Sequence, residues 1–418
     1  MPPTPLSQRP LAVALAGMLA LAAAMGIGRF AFTPLLPMML RDGTVSLAGG
    51  SWLAAVNYTG YLVGALACMA LPWVAPRTAR AWQGARLARW GLAATVLLTG
   101  AMALPVAPAW PALRGAAGIV SAVVFLNVAA WCMVRLTVLG QPALGGLIFC
   151  GPGVGIVLTG LSASAMVAAH WPAALGWAAF GVLSAALAAL AWPVLRGAAL
   201  GEEPSAQAAG AAASTRTAPP PGGWAACGLL TLGYALAGLG YIVTATFLPV
   251  IARAALPAGS PWPDLFWPLF GAGVALGAAL STRTPAAWDR RWLLAGCYAL
   301  QAGAIGLGLV WPQAAGFALG SLLLGLPFTA ITFYALQEAR RLWPGAGDSF
   351  AGLLTAAYGL GQIAGPPMVA WMLHHAATPG QGFVWGLSVA GGALVLGAGL
   401  WVAMARRWPP QDAMTGTR

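Results

Sequence analysis

The sequence predicts an all-α integral membrane protein of twelve transmembrane helices, built as two six-helix halves around a central cavity. Three observations lead there. Of the 418 residues, 60% are hydrophobic and 7% charged. A domain that faces water on all sides carries roughly 25% charged residues, so most of this surface faces lipid. The apolar stretches then fall into six, a polar linker, and six more. Finally, the first stretch is echoed in the seventh.

A helix of ~20 residues crosses a bilayer. In the first half, apolar stretches run over 11–40, 47–73, 89–106, 111–138, 143–168 and 172–195. The first follows Arg9 and is too long for a signal-peptide core, so it is read as a retained span. The second half repeats the pattern over 224–252, 263–282, 292–310, 313–339, 349–373 and 382–405. Between them, 196–223 holds Glu202, Glu203, Arg216 and Ala218-Pro219-Pro220-Pro221-Gly222-Gly223. With little to bury, it is expected to be a flexible linker. The expected domains are therefore 1–195, the linker 196–223, and 224–418.

Charge gives the expected orientation. All twenty basic residues are arginine, set against eight acids. With a cytoplasmic N-terminus, the inner segments hold Arg9, Arg77, Arg80, Arg86, Arg89, Arg135, Arg196, Arg216, Arg283, Arg290, Arg291, Arg340, Arg341, Arg406, Arg407 and Arg418. The outer connections hold only Arg41 and Arg253. That bias places both termini in the cytoplasm. The arginines are scattered between apolar spans and form no basic face, which excludes nucleic acid as a partner. The cysteines stand singly in apolar stretches, and His170, His374 and His375 lie at outer loop edges. No metal site, nucleotide motif or other cofactor site is read from them.

The repeat is specific. Gly28, Leu36 and Pro37 match Gly240, Leu248 and Pro249 at a constant offset of 212 residues, and Gly151-Pro152 has a counterpart in Gly365-Pro366. Two six-helix halves related by an axis along the membrane normal, with the site at the midplane between them, is a transporter plan.

The segment Gly26-Ile27-Gly28-Arg29-Phe30-Ala31-Phe32-Thr33-Pro34-Leu35-Leu36-Pro37 resembles the first-helix signature of the YbfB/YjiJ-type group of the major facilitator superfamily. Asn57-Tyr58-Thr59-Gly60-Tyr61-Leu62, Gly240-Tyr241 through Phe247-Leu248-Pro249, and Tyr358-Gly359-Leu360-Gly361-Gln362-Ile363-Ala364-Gly365-Pro366 fit the same group. The resemblance covers both halves and implies the major facilitator fold and transporter class, without a substrate. Arg114-Gly115-Ala116-Ala117-Gly118 resembles the superfamily's Arg-x-x-Gln-Gly element, linked to proton transfer, with Ala117 at the Gln position. Gly151-Pro152-Gly153-Val154-Gly155 partly resembles its Gly-Pro antiporter element. The first-half loop that usually pairs an Asp with its arginines has no acid between Arg77 and Arg89. The corresponding second-half loop holds Asp289-Arg290-Arg291.

An ionisable residue deep in a span costs at least ~2.5 kcal/mol and is functional by default. Arg29 and Arg114 qualify. The bland alternatives are snorkelling for Arg114 and a structural pair with a helix-end carbonyl for Arg29. No carboxylate lies mid-span, since Asp42, Asp264, Asp289, Glu338, Asp348 and Asp412 sit at span ends, in loops or in the tail. A site with arginine and no acid favours an anionic substrate. Helical spacing groups Asn57 with Tyr61, Tyr234 with Tyr241, Tyr334 with Gln337, and Tyr358 with Gln362 as a polar lining; aromatic belts and interhelical hydrogen bonds are the alternative. By the repeat, Tyr241 is the counterpart of Arg29. Pro34, Pro37 and Pro366, with Gly151, Pro152 and Gly365, are candidates for kinks and gating.

The expected function is a monomeric, alternating-access secondary transporter of a bacterial inner membrane. It moves a small organic solute, with protons as the expected coupling ion, and is not an enzyme. A multidrug-type exporter of hydrophobic compounds and a non-transporting membrane sensor are the competing readings.

Overall fold

The computed structural model describes residues 5–74, 84–197, 223–285, 287–343 and 347–409. The expected linker falls almost wholly outside this set, as do Arg77, Arg80, Glu202, Glu203, Arg216, Asp412 and Arg418. Twelve long helical elements follow one another: α1 Pro10–Arg41, α2 Leu47–Val74, α3 Ala85–Ala101, α4 Trp110–Val138, α5 Pro142–Ala168, α6 Ala173–Gly197, α7 Gly223–Ala255, α8 Trp262–Ser281, α9 Arg290–Val310, α10 Ala314–Leu342, α11 Gly347–His375 and α12 Pro379–Arg407. No strand occurs among the described residues.

Ten of these helices are long and apolar enough to cross a membrane. The other two have local reasons to fall short. α3 has 17 residues, and α11 is diluted by Tyr358, Gln362 and the Pro366-Pro367 pair. The chain is a multi-pass membrane protein. The third stretch, expected at 89–106, lies instead at Ala85–Ala101. Residues 102–104 are apolar but precede Pro105, and the residue before a proline is driven away from helical geometry. Gly84, with φ +66°, starts that helix.

Packing follows the two-fold repeat. α2 lies on α4 as α8 lies on α10, and α3 on α6 as α9 on α12. Between the first six helices and the last six, α2 packs on α11, α5 on α8, and α1 on α7. An axis that carries helix n to helix n+6 requires those pairings. Glycine also lets helices within each set of six approach closely. A Cβ on Gly151 or Gly155 would strike the α1 backbone, and one on Gly361 would strike the α7 backbone. In a membrane, small residues bring helices close enough for dispersion contacts to hold them.

The two ends of the bundle differ. On the face away from the chain termini, every residue over 20–39 of α1 and over 240–249 of α7 is buried. Nearer the terminus-bearing face the same helices are partly exposed at Leu11, Leu15, Trp224 and Leu232. Thr33 Oγ1 donates to Ala245 O at 2.8 Å, two positions separated by the repeat offset of 212. Tyr58 Oη and Thr246 Oγ1 share a hydrogen at 2.9 Å, and Ser164 Oγ donates to Asp264 O at 3.0 Å. These contacts close the far face.

The terminus-bearing face is tied within the last six helices. Arg291 donates to Asp289 at 2.7 and 3.0 Å, and to Met404 O at 3.1 Å and Trp408 O at 2.5 Å. Glu338, buried in α10, accepts from Arg341 at 2.6 and 2.8 Å. Arg291 lies 3.7 Å from Glu338. Arg291, held by the acid retained in this loop, therefore binds α9 to α10 and α12.

Candidate functional site

The centre of the molecule is built on a break in α1. The segment Pro10–Leu21 passes into a π-helical turn, Ala22–Ile27, before helix resumes at Phe32–Arg41. In the π turn, Gly28 N bonds Ala23 O at 2.9 Å and Phe30 N bonds Met25 O at 3.2 Å. Small side chains permit it: a Cβ on Gly26 would collide with Gly155 of α5. Pro34 then has no N–H to give the Phe30 carbonyl. Thr33 N takes that carbonyl instead, at 3.2 Å. The Arg29 carbonyl is left without that helix donor.

Arg114 fills the gap. From α4 its Nη2 donates to Arg29 O at 3.1 Å and its Nη1 to Gly28 O at 3.3 Å. The guanidinium also lies 5.0 Å from the Phe32 ring and 5.9 Å from Trp177. Asn57 Nδ2 in turn donates to Arg114 O at 2.8 Å. Neither Arg114 nor Asn57 points at an open centre. They hold the bend of α1, and the cation sits where a broken helix presents carbonyls.

Arg29 is placed by that bend between the two sets of six helices. Its residue is 3% exposed. Nη2 donates to Gln362 Oε1 of α11 at 2.6 Å, and Gln362 Nε2 donates to Tyr241 Oη of α7 at 2.5 Å. Arg29 and its repeat counterpart thus share one amide. The Tyr61 ring lies 3.8 Å from the guanidinium carbon, with Phe30 at 5.3 Å and Tyr58 at 5.4 Å. Among the described residues, the buried Arg29 Nε has no hydrogen-bond partner, and neither does Asn57 Oδ1. Among the same residues, no carboxylate forms an ion pair with Arg29.

Aromatic rings surround this group. Tyr241 stacks with Tyr358 at 5.9 Å, and Tyr358 with Tyr234 at 4.6 Å. Phe328 meets Tyr241 edge-on at 4.9 Å and Phe30 at 6.1 Å. Toward the terminus-bearing face lies a cavity of about 640 Å³ between α7 and α11, lined by residues of the last six helices with none of the Arg29 cluster among them, and reaching Ala235 and Ala357. Those two alanines are the chain neighbours of Tyr234 and Tyr358.

Of the residues singled out in the sequence, Arg29, Tyr61, Tyr241, Tyr358 and Gln362 come together. Tyr334 does not: its Oη bonds Thr284 at 2.6 Å and its ring faces Arg290 at 5.9 Å, by the terminus-bearing face. Pro34 and Pro37 lie in the buried far segment of α1, Gly151 and Pro152 open the straight part of α5 against α1, and Gly365 and Pro366 lie inside α11 against α7. Sequence reasoning passed over Tyr58, Thr33 and Thr246. Tyr58 precedes Tyr61 by three residues, a same-face spacing that the Asn57–Tyr61 pairing obscured.

Comparison with known proteins agrees with this architecture. A family model described as "Uncharacterised MFS-type transporter YbfB" matches residues 21–402. No curated protein matches the chain. The crystal structure of a point mutant of the nucleoside transporter NupG superposes with a TM-score of 0.67 at 14% identity, covering 93% of this chain and 99% of that one. With its repeat, its inter-half pairings and a family match over nearly its whole length, the chain belongs to the YbfB-type transporters of the major facilitator superfamily.

Proposed function

We propose that this transporter moves a small organic anion across a bacterial inner membrane by alternating access, with Arg29 as the substrate anchor. The observation that carries this reading is the state of Arg29. It is a buried cation whose hydrogen-bonded partner is a neutral amide, placed where α1, α7 and α11 meet. A buried charge is ordinarily paired, and a transporter that supplies the cation leaves the anion to its substrate. Arg114, with both terminal nitrogens on the α1 backbone carbonyls and only its Nε without a partner among the described residues, acts as a positioning residue.

The arginine bias supports a cytoplasmic terminus-bearing face, and the burial of the far segments of α1 and α7 supports reading this as a state closed toward the outside. With no carboxylate at the site among the described residues, a coupled proton has no acidic side chain there to carry it. The protein works as a monomer, with the lipid bilayer as its other partner.

The test is thermal stabilisation of the purified protein by anionic, cationic and neutral solutes, nucleosides included among the neutral ones, in wild type and Arg29→Ala. Stabilisation by anions that vanishes in the variant is the expected result. Stabilisation by lipophilic cations, unchanged by the variant, would replace this reading with multidrug export. Binding without uptake into proteoliposomes would make the protein a sensor.

A further inference from the structure

The charge of the ligand follows from how Arg29 is satisfied now, and so do its shape and class. A guanidinium offers a carboxylate two parallel donors along one edge, and the bidentate pair is its strongest contact. In Arg29, Nε and Nη2 form such an edge. Gln362 Oε1 takes Nη2 at 2.6 Å, while Nε is buried with no partner among the described residues. A side-chain amide has one oxygen to offer, so the fork is half filled. A carboxylate has two at the right spacing.

The number of available cations limits the ligand's charge. Both terminal nitrogens of Arg114 are engaged on the carbonyls of Gly28 and Arg29. The Arg114 Nε is also buried without a partner among the described residues. Its edge is capped by the Arg29 backbone carbonyl, which cannot swing away as the Gln362 side chain can. The one displaceable edge is that of Arg29, which suits a monoanion. The walls limit the ligand's body. The guanidinium carbon lies over the Tyr61 ring, 3.8 Å from its centroid. Beyond Gln362 stand Tyr241 and Tyr358, stacked at 5.9 Å, with Phe328 edge-on to Tyr241 at 4.9 Å. Ring faces and edges of this kind favour another ring in offset or T-shaped contact.

Resting on the anion-anchor reading above, we propose that the substrate is an aromatic monocarboxylate. Its carboxylate displaces the Gln362 amide and takes the Nε–Nη2 edge of Arg29. Gln362 is therefore the ligand's internal competitor. Its displacement also removes a hydrogen bond joining α1 to α11, so binding itself loosens one tie between the two halves. Tyr241 Oη loses its amide donor in the same step.

The experiment uses the full-length protein in detergent and four probes of similar size: benzoate, benzamide, cyclohexanecarboxylate and phthalate. Thermal stabilisation and the dissociation constant are measured in wild type, Arg29→Gln, Arg29→Lys, Gln362→Ala and Gln362→Glu. Benzoate should give the largest stabilisation. It should fail in Arg29→Gln and weaken in Arg29→Lys, which keeps the charge but loses the fork. In Gln362→Ala, benzoate should bind roughly tenfold more tightly, about 1.4 kcal/mol, because the competitor is gone. In Gln362→Glu it should not bind. A merely structural role for Gln362 would not raise affinity on its removal.

Benzamide matching benzoate, or no tightening in Gln362→Ala, would overturn the proposal. Cyclohexanecarboxylate or phthalate binding better than benzoate, with loss in Arg29→Gln, would overturn the aromatic monocarboxylate class while leaving Arg29 as an anion anchor. No response to any of the four, alongside stabilisation by cations or nucleosides, would overturn both. Gln362→Ala and Arg29→Lys keep the test open if Arg29→Gln does not fold.

Discussion

At the scale of single residues, the two buried arginines do different work although both were legible as charges within spans. Arg29 reaches across the molecule to an amide, and Arg114 closes a backbone gap beside it. Replacing Gln362 with Glu turns the neutral contact into a buried ion pair between α1 and α11. The expected outcome is a higher melting temperature together with loss of uptake into proteoliposomes, since the tie would no longer yield to substrate. Arg114→Gln should act in the other direction. It strips two charge-assisted hydrogen bonds from the α1 bend, each worth ~1.5–3 kcal/mol, so the melting temperature should fall. Uptake should fall with it, while the remaining activity keeps its anion preference because Arg29 is still present.

Whole helices depend on glycine where they cross most closely. Gly60 and Gly118 pack α2 against α4 beside Asn57, and a Cβ on either would overlap a backbone carbonyl of the other helix. Gly118→Ala should therefore cost ~1–3 kcal/mol through forced separation and lower the melting temperature. Gly296→Ala is the control. A Cβ there meets nothing within 4 Å, so the melting temperature should hold or rise slightly as helix propensity improves. The Arg-Gly-Ala-Ala-Gly run thus carries, besides its arginine, the glycine at which α4 meets the α2 backbone.

The whole molecule is closed on the far face and tied differently on the terminus-bearing one. If alternating access operates, the Thr33–Ala245 contact must break in each cycle. A Thr33→Cys, Ala245→Cys pair in a cysteine-free background should block uptake when cross-linked and recover it on reduction; uptake that persists through the cross-link would rule out opening of that face. On the opposite face Asp289 is the acid-sensitive element. Partial burial disfavours its charged form, but the Arg291 side-chain and backbone hydrogen bonds and the Arg291 and Arg341 charges outweigh that, holding the carboxyl below its ordinary value. A depressed acid stabilises the fold above its unfolded value of ~3.9, and that stability is lost as pH falls through the folded value. Melting temperature should thus drop on strong acidification in wild type, with a shallower drop in Asp289→Asn.

The sequence alone determined that this chain lives in lipid, that it is two related sets of six helices, and that Arg29 and Tyr241 are counterparts. Those properties are written in hydropathy, in arginine placement and in an offset of 212 residues, none of which needs a folded chain. It also delimited the polar residues from which the centre is made. Only the tertiary structure decided how they are shared. Arg114 looked as available as Arg29 until the π turn and Pro34 exposed carbonyls for it to satisfy, and Tyr334 looked as central as Tyr358 until helix length carried it toward the terminus-bearing face. Periodicity tells which face of a helix a residue lies on. Which hydrogen bond it makes depends on breaks in other helices, and those are settled by packing.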